Sequence, residues 1–230
     1  KAEQDRIATR RLELEHEALL KGGTERYVEP SALLRPDRVL ARAIAFYLPQ
    51  FHPIPENDRW WGEGFTEWRN VRSGAALFEG HNQPKKPGEL GYYDLLAQPW
   101  IRQRQADLAH QYGLDGFCFY FYWFQGKRLL EAPVEAYADD ESISFPFCLC
   151  WANEPWSRRW DGRDDDVLMA QAHSAEDDIR FIEYLSRYLR NSKYIRVNGR
   201  PIIIVYRPGM LPAPKETVGR WRTWCRDKGI

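Results

Sequence analysis

Three stretches of the chain alternate residue size with a period of two, the pattern of strands whose two faces differ. In residues 41–48, Ile44, Phe46 and Leu48 share one parity, and Ala43, Ala45 and Tyr47 share the other. In 116–123, Phe117, Phe119 and Phe121 oppose Gly116, Cys118, Tyr120 and Tyr122. In 145–151, Phe147, Leu149 and Trp151 oppose Cys148 and Cys150, a parity that continues to Ala152 and Glu154. A fourth apolar run spans 201–207. Helical periodicity lies between and after these runs. Residues 99–112 carry Pro99 in the first turn and Gly113 past the end. Residues 127–139 predict a shorter helix. In 175–190, Ile179, Ile182, Leu185 and Leu189 share a face and acids open the segment. Residues 216–228 end before Gly229. A long loop is expected over 50–98, and loops of that length are usually functional.

Strand and helix thus alternate four times, which implies parallel strands with crossover helices. A doubly wound sheet wants large apolar residues on both faces. Here one face carries small residues and ends in a polar group, as in a barrel whose outer face meets helices and whose strand ends carry the site. The expected fold class is α/β: the N-terminal half of a (β/α)8 barrel. Tyr47, Tyr120, Tyr122 and Glu154 should line one cleft, with Phe46, Phe119 and Trp151 against helices. Residues 1–21 read as an amphipathic helix through Ile7, Leu14, Ala18 and Leu19, stopped by Gly22 and Gly23. Residues 1–40 form this leading helix and a connector; 41–230 form the partial barrel of about four βα units. Eight such units would need roughly 300 residues or more, so the chain reads as cut at both ends.

Composition narrows the function. Lys plus Arg and Asp plus Glu are 33 each, for a formal net charge of zero, which argues against a nucleic-acid partner. No apolar run is long enough to span a membrane. Four Cys without a CxxC pair make no disulfide framework; Cys118, Cys148 and Cys150 read as buried, inert thiols. A cytoplasmic location is expected. Aromatics make 14% of the chain, many beside polar residues. Core packing explains part of them. Rings packing on sugar C–H faces, with polar neighbours on the hydroxyls, would explain the rest.

Candidate chemistry gathers at the strand ends. In WANEPWSRRWDG, Glu154 lies just past the third strand, its backbone held extended by Pro155. Trp151, Trp156 and Trp160 flank it, with Asn153 and Asp161 nearby. A carboxyl among indoles should have a raised pKa, as a general acid requires. The alternative is an ion pair with Arg158 or Arg159. Past the first strand come Tyr47, Gln50 and His52, then Glu63 and Glu67 among Trp60, Trp61 and Trp68. This set suits a polyhydroxylated ligand, or equally a lid of indoles. His52 lacks metal-ligand spacing. Tyr120, Tyr122 and Trp123 should reach the barrel mouth. DGRDDDV, 161–167, holds an Asp-x-Asp element of the kind that binds a metal and a sugar nucleotide, here expected as a solvated loop. No cofactor and no metal site are expected.

AFYLPQFHPIPENDRWWGEGFTEW, QPKKPGELGYYDL, YGLDGFCFYFYWFQGKRLLE, FPFCLCWANEPWSRRWDG and GRPIIIVYRP, in that order, resemble the WbsX family, also described as a glycoside hydrolase family 99-like domain. The resemblance covers about residues 40–230. It implies a (β/α)8 barrel and a role on bacterial surface polysaccharide such as O-antigen. It further implies metal-free retaining chemistry, and a fused arrangement with other glycan-synthesis domains. The essential carboxylate pair of the related endo-mannosidases lies in a late Asn-Glu-Trp-x-Glu-Gly-like motif, which this sequence does not contain. Glu154 and Pro155 match a Glu-Pro pair of the family's sugar site. Three readings result: glycosidic bond cleavage or transfer, non-catalytic glycan binding, and metal-dependent transfer from a sugar nucleotide.

Overall fold

The structure, a computed structural model, describes residues 40–158 and 163–230. The helix expected over 1–21, most of its connector, and Trp160 and Asp161 lie outside the described residues. The elements are β1 (Ile44–Tyr47), α1 (Pro55–Trp61), α2 (Glu67–Ser73), α3 (Trp100–Gln111), β2 (Gly116–Phe124), β3 (Lys127–Leu129), α4 (Ala132–Asp139), β4 (Phe147–Trp151) and β5 (Trp156–Arg158). After them come β6 (Arg163–Met169), α5 (Ala175–Leu189), β7 (Arg196–Val197), β8 (Arg200–Pro201), β9 (Ile203–Val205) and α6 (Pro214–Asp227). They fall into two compact units. Gln50–Ile101 forms one; residues 40–49 and 102–230 form the other.

In the larger unit, β1, β2, β4 and β9 pair side by side, all parallel, in chain order. Sequential parallel strands with right-handed crossovers place every connecting helix on one face. This is the topology of the first four βα units of a (β/α)8 barrel. The helix-facing layer is aromatic. Phe117, Phe119, Phe147, Leu149 and Trp151 are buried there with Tyr137 of α4, Phe181, Ile182 and Leu185 of α5, and Trp221 of α6. Burying each such side chain contributes about 1.5–3 kcal/mol. The expected stripe on α5 is present, but Phe181 and Tyr188 are buried where Ile179 is only half-buried. Ser174 caps this helix by accepting the Asp177 N–H at 3.1 Å.

The middle of the inner face carries small residues. Cys118 lies beside Cys148, and Cys150 lies between Tyr120 and Ile204. All three thiols are free and buried. Hydrogen bonding to Cys148 and Cys150, with burial, pushes the Cys118 thiol far up, while the same hydrogen bonds lower Cys148 and Cys150.

Three expectations are corrected. First, β1 has the opposite parity. Its register sets Tyr47 beside Phe119, so Tyr47 enters the helix-facing layer. Its ring lies 5.0 and 4.4 Å from those of Phe117 and Phe119, and its hydroxyl donates to Gln105 on α3. Phe46 takes the inner face and stacks on Tyr120 at 5.3 Å. Second, the helix expected over 127–139 begins only at Ala132. Gln125 and Gly126 both have positive φ, the geometry of a two-residue hairpin turn, and β3 folds back on β2. Third, the loop expected over 50–98 contains α1 and α2.

Among the described residues, no helix is long and apolar enough to cross a membrane. At the N-terminal ends of the strands lies a cavity of about 860 Å³, lined in part by Arg42, Asp115, Glu141 and Lys193. Two of its lining cations, Lys193 and Arg196, serve the fold. Lys193 Nζ donates to the carbonyls of Tyr137 and Asp140 at the end of α4, and Arg196 donates to Leu189 at the end of α5.

Gly116 sits at a close approach within the sheet. A Cβ there would lie 2.7 Å from Ile195 Cδ1 and 2.9 Å from the Pro146 carbonyl oxygen. The carbonyl belongs to the segment entering β4 and cannot turn aside. Gly116→Ala should therefore destabilise the protein by about 1–3 kcal/mol, read as a lower melting temperature. An unchanged melt would show that this close approach is relaxed in solution.

Candidate functional site

The C-terminal ends of β4 and β9 meet through Asn153. This side chain is fully buried, with 0% exposure. Its Nδ2 donates to the Arg207 carbonyl at 2.9 Å, and its Oδ1 accepts the Arg207 N–H at 2.8 Å. The Tyr206 N–H donates to the Trp151 carbonyl one step earlier. The backbone of Arg207 is thus fixed on both sides by the neighbouring strand end. Asn153, expected to touch substrate, is a structural clamp instead.

The clamp sets Arg207 against Glu154. Arg207 Nε donates to Glu154 Oε1 at 3.0 Å, and the guanidinium lies 5.0 Å from the Tyr206 ring centroid. Among the described residues Glu154 meets a guanidinium, while Trp160 of the expected indole cage lies outside the described residues. Trp151 points to the helix side, where it packs on Phe181 and Trp221. Trp156 packs edge-on against Tyr122 and Phe124 at 5.0 and 5.7 Å. Glu154 does form an ion pair, but with Arg207; Arg158 pairs with Asp166 at 3.1 Å, and Arg159 lies outside the described residues.

Beyond the pair, the inner face is aromatic. The Tyr206 ring lies 5.7 Å from Tyr120 across the small Cys150, and Phe46 continues the row. Phe46 is 58% and Tyr206 41% exposed. Burial, with smaller effects from Cys150, Tyr206, Cys118 and Glu154, raises the Tyr120 pKa, so its hydroxyl stays a proton donor. Trp123 belongs to the core, not the mouth. It is buried among Phe181 and Tyr184, and its indole N–H donates to Asp177 at 3.0 Å. Tyr47 is likewise on the helix side, as shown above. Of the expected set, Tyr120, Tyr122, Trp156 and Glu154 remain on the inner face or just beyond β4. Tyr206 and Arg207 were missed. Their position at the end of the fourth apolar run was the available signal.

The other predicted residues lie in the Gln50–Ile101 unit. Gln50 Nε2 donates to Glu67 Oε1 at 2.6 Å. Burial raises the Glu67 pKa, and the Gln50 hydrogen bond opposes that rise. Trp68 packs at a tilt on Phe51, ring centroids 4.7 Å apart, and its indole N–H donates to the Tyr93 carbonyl. Trp61 packs on Phe65 at 5.8 Å. Trp60 is half-buried and His52 is buried. Asp58 closes the turn after α1 by accepting the N–H groups of Gly64 and Phe65. These contacts support a folded aromatic platform. Asp164 and Asp166 lie not in a loop but in β6, which pairs antiparallel with β5, and Asp165 and Asp166 are solvent-exposed as expected. Among the described residues, no three His, Cys, Asp or Glu side chains cluster to hold a metal.

Two outcomes follow from these contacts. Asn153→Ala strips the partners from two Arg207 backbone groups and should cost about 1–3 kcal/mol. Asn153→Asp loses the donor and buries a charge, so it should not restore the melting temperature. Glu67 carries a raised folded-state pKa, so its ionisation weakens the fold as pH rises through the unfolded value and up to the folded one. Relative to Glu67→Gln, the wild type should lose stability as pH rises above the ordinary glutamate value of about 4.3. Parallel stability profiles of the two proteins would refute the desolvation of Glu67.

Residues 43–230 match the family described as glycosyltransferase WbsX. The chain is 61% identical over 195 residues to protein WxcX of Xanthomonas campestris pv. campestris strain B100, and equally so to WxcX of a second strain. Each alignment covers 85% of this chain and 28% of the relative, so the chain spans under a third of the relatives' length. A solved structure, the GH99 endo-alpha-mannosidase from Bacteriodes thetaiotaomicron, aligns at 17% identity with a TM-score of 0.45, over 72% of this chain and 41% of that one. By the extent of the family match, the chain belongs to the glycosyltransferase WbsX family.

Proposed function

We propose that this chain is part of a carbohydrate-active protein that cleaves or transfers glycosidic bonds in bacterial surface polysaccharide of the O-antigen kind. The observation that carries the reading is the carboxylate of Glu154, held by Arg207 at the C-terminal end of a parallel strand. Strand ends of this topology are where such folds carry chemistry, and the family is described by glycosyl transfer.

A carboxylate in an ion pair favours one side of glycosidic chemistry. Its negative charge would stabilise the positive charge that develops at the anomeric carbon. The inner-face rings of Tyr120 and Tyr206 offer apolar platforms for a pyranose. The reading includes action without a metal. It also includes a cytoplasmic location and fusion to other glycan-synthesis domains, which the greater length of the WxcX relatives favours.

The test is turnover by the full-length protein on bacterial surface polysaccharides and mannan-type glycans, with and without chelator. Glu154→Gln should lower turnover by about 10²–10⁴-fold, while EDTA leaves the wild type unaffected. Loss of activity in EDTA that manganese restores would favour transfer from a sugar nucleotide. Full activity in Glu154→Gln would remove Glu154 from the chemistry.

A further inference from the structure

We infer that Arg207 and Glu154 together recognise a vicinal diol of an uncharged sugar residue, with Arg207 as the specificity-determining partner. The inference rests on the functional reading above and adds to it the class of sugar and a ligand-binding role for Arg207. The pair is neutral as a whole and presents opposite hydrogen-bonding character side by side. Arg207 uses only Nε on Glu154. Among the described residues, its two Nη groups have no hydrogen-bond partner, and neither has Glu154 Oε2. Arginine offers only donors and a carboxylate only acceptors. Each hydroxyl of a diol both donates and accepts, so one hydroxyl can donate to Glu154 Oε2 while its neighbour accepts from an Arg207 Nη.

Several observations separate this from an ordinary surface ion pair. Both Arg207 backbone groups are bonded to the fully buried Asn153, so the fork starts from a fixed point. The Tyr206 ring supports the guanidinium. The Arg207 side chain is nevertheless 54% exposed and open to a ligand. The adjoining Tyr206, Tyr120 and Phe46 rings provide the surface that sugar C–H groups pack on. Charge sets the selectivity. An acidic sugar would bring a second carboxylate towards Glu154, and like charges penalise that approach.

The experiment is calorimetric titration of the full-length protein with three kinds of probe. Yeast mannan and dextran are neutral, alginate is a polyuronate, and mannan or dextran after periodate oxidation and borohydride reduction has lost its vicinal diols. The expected result is binding of at least one neutral probe, with about tenfold or greater weakening for its oxidised form and for alginate. Arg207→Met should weaken neutral binding by a similar factor without lowering the melting temperature. Arg207→Lys keeps the charge but not the fork, so it should recover only part of the loss; it decides the matter if the Met variant unfolds. Equal binding of the oxidised probe, equal binding of alginate, or wild-type affinity in Arg207→Lys would overturn the inference. The functional reading would still stand if Glu154→Gln had lost turnover. A wild type that binds no neutral probe overturns the inference as well, and an inactive wild type in the turnover assay removes the functional reading beneath it.

Discussion

The register of β2 against its two neighbours is the constraint on which the larger unit depends. With Phe117 beside Phe147 and Phe119 beside Leu149, one face of the sheet becomes a continuous apolar layer for the helices. The other face then receives Cys118, Cys148 and Cys150. A slip of one residue would exchange the faces, burying small thiols under α5 and exposing a row of phenylalanines. The cost of that exchange, summed over several aromatic side chains, is what makes the register unique. Everything at the strand ends inherits it, because Glu154 and Arg207 are counted outward from β4 and β9.

The same constraint explains why legibility varied along the chain. β2 and β4 were readable because their two parities differ in size, and size decides which face meets the helices. β1 was not, because Ile44, Phe46 and Leu48 on one parity compete with Tyr47 on the other. Counting apolar residues favours the first set, yet pairing with β2 delivers Tyr47 to the helices, where Gln105 satisfies its hydroxyl. Trp123 was misplaced against the chain's own alternation. It shares the parity of Phe121, so it follows that residue into the core, and Asp177 receives its N–H.

Glu154 was legible because strand-end position is local information. Its partner was not. Arg207 lies 53 residues away, and only the β4–β9 register brings the two together. Sequence favoured Arg158 or Arg159 because they are near along the chain, but the β5–β6 hairpin turns Arg158 towards Asp166. Nearness in sequence misleads where a hairpin intervenes. The aromatic content was informative in kind but not in place: many rings predicted for a ligand are packed on one another, as Trp68 is on Phe51 and Trp156 on Tyr122.

The direction of support between the core and the site also follows. An ion pair this exposed contributes about 0–1 kcal/mol and holds no strand in place. The buried amide of Asn153 does that, because leaving Arg207's N–H and C=O unpaired would cost more than the ion pair contributes. The strands are therefore joined beneath the charges rather than by them. That leaves Glu154 and Arg207 fixed at their backbones and unneeded for stability at their tips, the condition under which a carboxylate and a guanidinium are free to hold something else.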